Sequence, residues 1–510
     1  MDRRHFLGST LGTIGAWAAA GLAAEGEPRP PRPVGTEDAS LDPSAVKLRI
    51  KPVLTSIIHT GVWEGPCRWQ PVSVEQEAVN ARASFANWAK ALKERGLGPA
   101  PGVEILEPVH VTFSEDFTIK PDQWAKLDPD GASADAFYVI PVGSSVSAFE
   151  IGDRFKRPIL MTGLGCRNVD IASYARAQGN EAWVAADDAD LLALLGLLRA
   201  RKVLWTTRVL FPTDRGLPAS CATSSLKDLG AMEKRLGVKA VVIPYKELAE
   251  EMERVKSDAA ATAELDQAAD GLVRGARRSF IEKGYVTCSL QFHRTVRNLL
   301  ARHGANAFTI ECFEFCSSRL PDRWKITPCL IHSLLRDRGH ASSCEGDLGS
   351  LLGMRLLMSV AGKSCHQGNS DPRELGTFRI NHSVPALKMD GYDRPDRPYQ
   401  LGRFTSSGWG TKMVVNFMDH AEKTVTVARI DPTATRLLVL RGELVGASGW
   451  DEDLIGCSVE AVIRPPAGRC DEFLRMRLDY GNHLQWVYGD YVEPLRRLGE
   501  MAGLQVEVIA

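Results

Sequence analysis

Two acidic clusters and a distant histidine are the residues of this chain whose types and spacing favour chemistry. Glu345 and Asp347 lie two residues apart, and Glu311 and Glu314 form a second acidic cluster upstream. His483 lies close to the C-terminus. Carboxylates from two places and a histidine are the usual ligands of a divalent metal ion. The sequence therefore predicts a metal site, provided that folding brings these residues together.

Each acidic residue also has an ordinary structural explanation to be weighed. Asp347 directly precedes a predicted apolar helix, and Asp is a preferred N-cap residue, so cap and ligand are equally open. Glu345 has no such explanation, and the pair follows a predicted strand, where open α/β sheets bind their ligands. Glu314 interrupts the apolar run Ile310–Phe315, which we predict to be a strand. A carboxylate among aromatic rings is costly unless it is paired, metal-bound or exposed.

Two single histidines and an aromatic, basic loop are further candidates. His483 precedes an aromatic strand, and His382 lies in the segment Asn381–Pro385. A lone histidine at a strand end is more often a hydrogen-bonded structural residue than a ligand, and spacing favours neither role. Trp63 and Arg68 follow the first predicted strand, where they suit ligand binding by stacking and hydrogen bonding as well as ordinary loop packing.

Hydrophobic periodicity predicts the elements that must position these residues. Short apolar strands alternate with helices from residue 46 to 360, which indicates βαβ units and parallel, doubly wound sheets. A strand is predicted over Lys202–Phe211, and the pattern restarts there. We therefore predict an α/β fold class with two consecutive doubly wound, Rossmann-like domains, at residues 46–204 and 205–360.

The C-terminal part of the chain has a different hydrophobic pattern. Residues 361–510 contain short strands separated by turn residues, which predicts a β-rich, barrel-like domain. Only Tyr491–Leu504 is predicted to be helical there.

Composition narrows the class of ligand. The chain has 510 residues, a formal net charge of −1 and no basic excess, so a nucleic-acid partner is not expected. The eleven cysteines are odd in number and scattered, unlike a disulfide scaffold. Cys312 and Cys316 have zinc-like spacing but no second half-site, so we predict that most cysteines are small buried side chains.

The N-terminus resembles an export signal. Arg3 and Arg4 precede an uncharged Gly- and Ala-rich run, which predicts a twin-arginine-type signal peptide over residues 1–24. A Pro-rich linker is predicted over residues 25–45. The expected location is therefore periplasmic or otherwise outside the cytoplasm, with an uncleaved N-terminal anchor as the alternative. No other segment is long and apolar enough to span a bilayer.

Several short blocks, in a constant order, resemble the L-fucose/L-arabinose isomerase superfamily. Cys344–Asp347 followed by Leu351–Met354 is similar to that family's acidic block leading into a helix. His382–Pro385 resembles its His-Cys-x-x-Pro block, with a serine in place of the cysteine. Gly481–Asp490 resembles its near-terminal Gly-x-His block with a Val-Tyr-Gly-Asp tail, and Cys312–Glu314 its Cys-aromatic block. The first half of the chain is similar only in its α/β pattern.

The resemblance implies a cofactor, an assembly and roles for particular residues. It implies Mn²⁺ (or Mg²⁺) held by two carboxylates and a histidine, in a homo-oligomer that is a trimer or hexamer. Asp347 and His483 are then metal ligands, and Glu314, with Glu311 as its alternative, supplies the other carboxylate. Glu314 and Asp347 are the implied catalytic pair. His382 joins the candidate substrate-binding residues Trp63 and Arg68.

The expected function is a metal-dependent aldose–ketose isomerase that acts on a small sugar through an enediol. The ion would polarise the carbonyl, one carboxylate would take a proton from the adjacent carbon, and its conjugate acid would return it. A non-catalytic exported sugar-binding protein with an isomerase-like fold is the alternative. Another metal-dependent enzyme acting on sugar derivatives is a third possibility.

Overall fold

A parallel sheet forms the N-terminal part of the protein. The computed structural model describes residues 43–65, 68–98 and 100–510. The predicted signal peptide and all but the last three residues of the predicted linker lie outside these residues. The strands are β1 (Leu48–Ile57), β2 (Val103–Ile105), β3 (Val109–Phe113), β4 (Ala136–Pro141), β5 (Ile159–Thr162) and β6 (Ala182–Ala185). The helices are α1 (Val74–Arg95), α2 (Pro121–Trp124), α3 (Asp128–Gly131), α4 (Val146–Phe155), α5 (Cys166–Ala177) and α6 (Asp188–Trp205). A short 3₁₀ turn, Pro43–Ala45, precedes β1.

A second parallel sheet follows. Its strands are β7 (Arg208–Pro212), β8 (Lys239–Ile243), β9 (Ala307–Ile310) and β10 (Ala341–Cys344). Its helices are α7 (Leu229–Leu236), α8 (Tyr245–Ser257), α9 (Ala259–Gly275), α10 (Lys283–Arg302), α11 (Cys312–Ser317), α12 (Leu320–Trp324), α13 (Cys329–Arg336) and α14 (Leu348–Ala361).

Both sheets have a doubly wound strand order. In the first, β1 pairs with β2 and β3 along one edge and with β4 along the other, and β5 and β6 continue outward. In the second, the order is β8-β7-β9-β10, and every pair is parallel. The order reverses between β7 and β9, so the carboxyl ends of these strands form the crevice in which such sheets bind ligands.

The C-terminal part is a closed antiparallel barrel. The strands of this part of the chain are β11 (His366–Arg373), β12 (Thr377–His382), β13 (Tyr399–Arg403), β14 (Thr411–Val415), β15 (Thr424–Ile430), β16 (Arg436–Ser448), β17 (Val459–Arg464), β18 (His483–Tyr488) and β19 (Gln505–Ile509). The barrel order is β15-β18-β11-β12-β17-β16, and β16 pairs back with β15, which closes it. β19 extends the sheet in parallel with β16, and β13 pairs with β14 apart from it. The helices are α15 (Cys470–Met476) and α16 (Val492–Met501), with a 3₁₀ turn at Arg477–Asp479.

These three sheets confirm the predicted fold class, two doubly wound α/β units followed by a β-barrel. The domain boundaries at residues 204 and 360 stay predictions. Among the described residues, no helix combines the length and the apolar character needed to cross a membrane.

Helix α14 joins the second sheet to the barrel. It packs against β10 and α6, and also against barrel strands β15 and β18. Eleven of its residues, Leu348 to Met358, are buried. Gly349 permits this close approach, because a Cβ there would lie 2.7 Å from the carbonyl oxygen of Ser225 and 2.9 Å from that of Ile430. The start of α14 is therefore held rigidly between two parts of the fold.

Three local predictions from sequence were wrong. The run Ile310–Phe315 is not one strand, because β9 ends at Ile310 and the carboxylate of Glu311 accepts hydrogen bonds from the amides that open α11. The strand predicted from Lys202 begins only at Arg208, since α6 continues through Trp205. The C-terminal part also contains a second helix, α15.

Candidate metal centre

Adjacent strands β9 and β10 deliver the two acidic clusters to one edge of the second sheet. The strands are parallel, and Cys344 pairs with Ile310. Glu311 and Glu345 are the residues that directly follow these partners, so both leave the sheet at the same carboxyl edge. This is the ligand-binding edge of a doubly wound sheet.

Glu345 is placed by an unusual backbone turn. Its φ is +65°, and Gly346 follows with φ +68°, so two successive residues adopt the left-handed region. A non-glycine residue there costs about 1–2 kcal/mol, which the surrounding structure must offset. The turn leaves the Glu345 side chain buried, at 8% exposure. A strained, buried carboxylate at this edge indicates a function rather than a cap.

Two barrel histidines meet the Glu345 carboxylate. The His382 Nε2 atom lies 3.2 Å from Glu345 Oε1, and the His483 Nε2 atom lies 3.2 Å from Glu345 Oε2. His382 ends β12 and His483 begins β18, and both strands pair with β11. The two rings are thereby brought to a centroid separation of 5.6 Å. The barrel closes over the sheet edge and supplies two nitrogen donors.

The charges of these three groups support one another. Burial raises the pKa of the Glu345 carboxyl, but the neighbouring His382 and His483 outweigh it and hold that pKa well below its usual range. Burial lowers the pKa of both imidazoles, yet the acidic partners prevail and the pKa of each is raised. For His483 these partners are Asp347 and Glu345. In the absence of a cation, the carboxylate and the imidazoles therefore favour each other's charged forms.

Asp347 is the N-cap of α14, which is one of the two roles that the sequence left open, and its role as a metal ligand stays a prediction. Its carboxylate is fully buried and forms an ion pair with Arg429, 2.8 Å away, and it also accepts a hydrogen bond from the Ser350 amide. Its Oδ2 atom lies 2.9 Å from His483 Nδ1. Burial raises the pKa of Asp347, but Arg429 and His483 lower it by more, so the pKa of this carboxyl lies below its usual value. Asp347 caps α14 and orients the His483 ring, so that Nε2 points at Glu345.

Glu311 and Glu314 both accept backbone hydrogen bonds. Glu311 accepts hydrogen bonds from the amides of Phe313 and Cys221, and burial raises its pKa. Glu314 accepts hydrogen bonds from the Thr213 hydroxyl, 2.7 Å away, and from the two amides that follow Thr213. Within the described residues, Glu314 forms no hydrogen bond or ion pair with a histidine. The structure thus brings His483 and His382 together at Glu345, and it places Glu314 against the loop that follows β7.

Cysteines that are scattered in sequence surround this cluster. The Cys221 thiol donates a hydrogen bond to Glu345 Oε2 over 2.8 Å, and Cys457 Sγ lies 3.7 Å from His382 Nδ1. Cys312 Sγ and Cys344 Sγ lie 3.1 Å apart. One donor atom each from Cys344, Glu345 and His382 fit within 4.8 Å of one another. Sequence reasoning missed the cysteines of this set; the signal that could have found them was that Cys312 and Cys344 each belong to a block that resembles the isomerase family.

Trp63 and Arg68 brace their own loop after β1. The Arg68 guanidinium donates hydrogen bonds to the carbonyl oxygens of Gly61 and Val72 and lies 5.8 Å from the Trp63 ring centroid. His59 contacts the same ring edge-on. Their role in substrate binding stays a prediction.

A divalent cation fits the residues present. The Nε2 atom of His483 is buried and has no hydrogen-bond partner, although it points at a carboxylate. Among the described residues, the group whose donor atoms all lie within 4.8 Å of one another is Cys344, Glu345 and His382, so these are the side chains that could hold a metal ion. No known family model matches the chain, and no curated protein matches its sequence.

Proposed function

We propose that this protein is a metal-dependent aldose–ketose isomerase that acts on small sugars, with Glu345, His382 and His483 as metal ligands. The observation that carries the proposal is the convergence of these three side chains at the carboxyl edge of the second sheet. The ordered resemblance of the surrounding blocks to fucose and arabinose isomerases supplies the reaction class. Mn²⁺ is the cofactor that the family resemblance implies, although two imidazoles and a carboxylate are also typical ligands of Fe²⁺ and Zn²⁺.

Glu311 is the residue to which we assign proton transfer. The Cys221 amide donates a hydrogen bond to Glu311, while the Cys221 thiol contacts Glu345, so the two carboxylates lie on either side of one residue. Burial raises the pKa of Glu311, which favours the protonated form that must return the proton. Glu311 takes the proton from the carbon beside the carbonyl and returns it to the neighbouring carbon. When bound, the ion would polarise the carbonyl and stabilise the enediolate charge.

Export and self-association complete the proposal. The N-terminal signal would place the protein outside the cytoplasm, and the family resemblance implies a trimer or hexamer. Fractionation of cells that produce the full chain, and light scattering on the purified protein, test these two points directly.

The test begins with metal content and turnover. The purified chain is dialysed with Mn²⁺, its bound metal is measured, and pentoses, hexoses and deoxyhexoses are assayed for ketose formation. We expect one ion per chain and turnover of one sugar class, both lost in Glu345→Gln and His382→Ala. His303→Ala is the matched control, because His303 pairs with Glu247 outside the site. A wild-type protein without metal or turnover would refute the proposal.

Enclosure of the cluster favours a second candidate, the non-catalytic sugar-binding protein. Glu345 is 8% exposed, and its oxygens are already contacted by two imidazoles and a thiol. Such a protein would bind metal and sugar without forming ketose. The same assays, with equilibrium binding of each sugar added, separate the two functions.

A further inference from the structure

The thiols of Cys312 and Cys344 form a close pair at the wall of the metal centre. Cys344 ends β10 beside Ile310 of β9, and Cys312 begins α11 two residues after Ile310. Parallel strands therefore bring the two side chains together, with the sulfur atoms 3.1 Å apart. The next residue after Cys344 is Glu345, so any change in this pair acts next to a proposed metal ligand.

The sulfur separation indicates which chemistry this pair suits. Two thiolates on one tetrahedral zinc ion, with Zn–S bonds of about 2.3 Å, lie about 3.8 Å apart. A disulfide requires about 2.05 Å. The observed 3.1 Å is already too short for a pair bridged by zinc, and about 1 Å of movement would form the covalent bond. A flexible side chain on the short helix α11 makes that movement feasible.

The two thiols differ in their exposure to solvent, which sets the order in which they react. Cys312 is half-buried and can meet an oxidant, whereas Cys344 is buried. A disulfide reagent would therefore meet Cys312 first, and Cys344 would then attack the mixed disulfide from inside the protein.

We propose that Cys312 and Cys344 are a reversible thiol/disulfide pair whose state decides whether the Cys344 thiol is available to the metal centre. The oxidant is a small disulfide such as oxidised glutathione. Cys312 thiolate attacks one of its sulfur atoms and releases one glutathione thiolate. Cys344 thiolate then attacks the Cys312 sulfur and releases the second. The protein loses two protons and two electrons, and the reagent becomes two glutathione thiols.

The state of the pair has a consequence for metal choice, which rests on the proposed metal centre. Reduced Cys344 offers a thiolate next to Glu345 and His382, and thiolate ligands favour Zn²⁺ over Mn²⁺. The disulfide removes that ligand and leaves the carboxylate and imidazoles. The oxidised protein should therefore prefer Mn²⁺ more strongly than the reduced protein does, by at least about tenfold.

The experiment combines peptide mapping with metal competition on the full-length protein. Wild type, Cys312→Ser and the matched control Cys316→Ser are equilibrated in glutathione buffers and alkylated. Cys316 lies on the same helix and is exposed, so it reports non-specific oxidation. We expect a peptide cross-linked between Cys312 and Cys344 in wild type and in Cys316→Ser, absent in Cys312→Ser. The free thiol count should fall by two in wild type.

Two results would overturn this inference separately from the proposed function. A pair that stays reduced in every glutathione buffer, or that links Cys312 to Cys316 instead, refutes the disulfide even if the protein is an active isomerase. A correct disulfide with an unchanged preference between Zn²⁺ and Mn²⁺ refutes its link to the metal centre. Mapping needs no turnover, so an inactive protein still gives a decisive answer.

Discussion

Replacing Asp347 by asparagine tests whether Asp347 binds the metal ion itself or only orients the metal ligand His483. In the wild type, Oδ1 accepts the Ser350 amide and Oδ2 faces both Arg429 and His483 Nδ1. Asparagine is as good an N-cap as aspartate, so its single oxygen should keep the bond to Ser350. The amide NH₂ of the asparagine then takes the place of Oδ2 and faces two hydrogen-bond donors, the Arg429 guanidinium and the Nδ1–H group of His483.

The consequence for His483 follows from its tautomers. An NH₂ group next to Nδ1 can only donate, which requires Nδ1 to be the acceptor and moves the ring proton to Nε2. A protonated Nε2 cannot bind a metal ion. Loss of such an orienting carboxylate typically lowers metal affinity 10- to 100-fold, which is about 1.4–2.7 kcal/mol. The metal-free protein should also lose about 3 kcal/mol of unfolding free energy, because Arg429 keeps a buried charge without its partner.

The assay is Mn²⁺ and Zn²⁺ titration against a chelator of known affinity, with denaturant unfolding of the metal-free protein alongside. Asp228→Asn is the matched control, since Asp228 caps the exposed start of α7 and should change neither quantity appreciably. Unchanged affinity in Asp347→Asn would refute the orienting role. Affinity lost as completely as in Glu345→Gln would show that Asp347 is a ligand, as the sequence led us to expect.

Three further predictions concern stability. Gly349→Ala should lower the free energy of unfolding by about 1–3 kcal/mol, because the added Cβ would meet two carbonyl oxygens. Gly196→Ala, where the Cβ would enter open space on α6, should leave that free energy unchanged or raise it, and denaturant unfolding of both variants measures the difference. Glu314→Gln should cost about 2 kcal/mol through its buried hydrogen bonds yet leave Mn²⁺ affinity unchanged; reduced affinity would place Glu314 in the metal site after all. Burial raises the pKa of Asp337 to about 6, so its stabilising contribution is full below about pH 4 and is lost as pH rises through 6. Unfolding at several pH values should show wild type losing about 3 kcal/mol relative to Asp337→Asn across that range, and parallel curves would contradict it.

The fold class was predictable because it depends on local periodicity. Alternating apolar strands and amphipathic helices specify doubly wound sheets, and short strands between turn residues specify the barrel. Helix ends were less predictable. The turn at Glu311 depends on the Cys221 amide, which lies 90 residues earlier, and no local pattern reveals that partner.

The candidate site was predictable in part, and the missing part is tertiary. His483 was predicted as a metal ligand and His382 as a substrate-binding residue, whereas Glu345 was noted as an acid without a structural explanation but was not among the predicted ligands. The arrangement of these residues was not predictable, because the Asp347 partner Arg429 is 82 residues away and its ion pair removes Asp347 from the open carboxylates. The cysteines required the register of β9 against β10, which a single sequence does not contain.

The span of the metal centre along the chain sets a time at which it can first exist. Asp347 and the His483 that it orients are 136 residues apart. At about 5–20 residues per second, a ribosome needs roughly 7–27 s to pass from one to the other. Until then the acidic turn that carries Glu345 and Asp347 has been synthesised, but the His483 nitrogen donor has not. If the proposed centre binds a metal ion, it can do so only late in synthesis, after nearly all of the chain has been made.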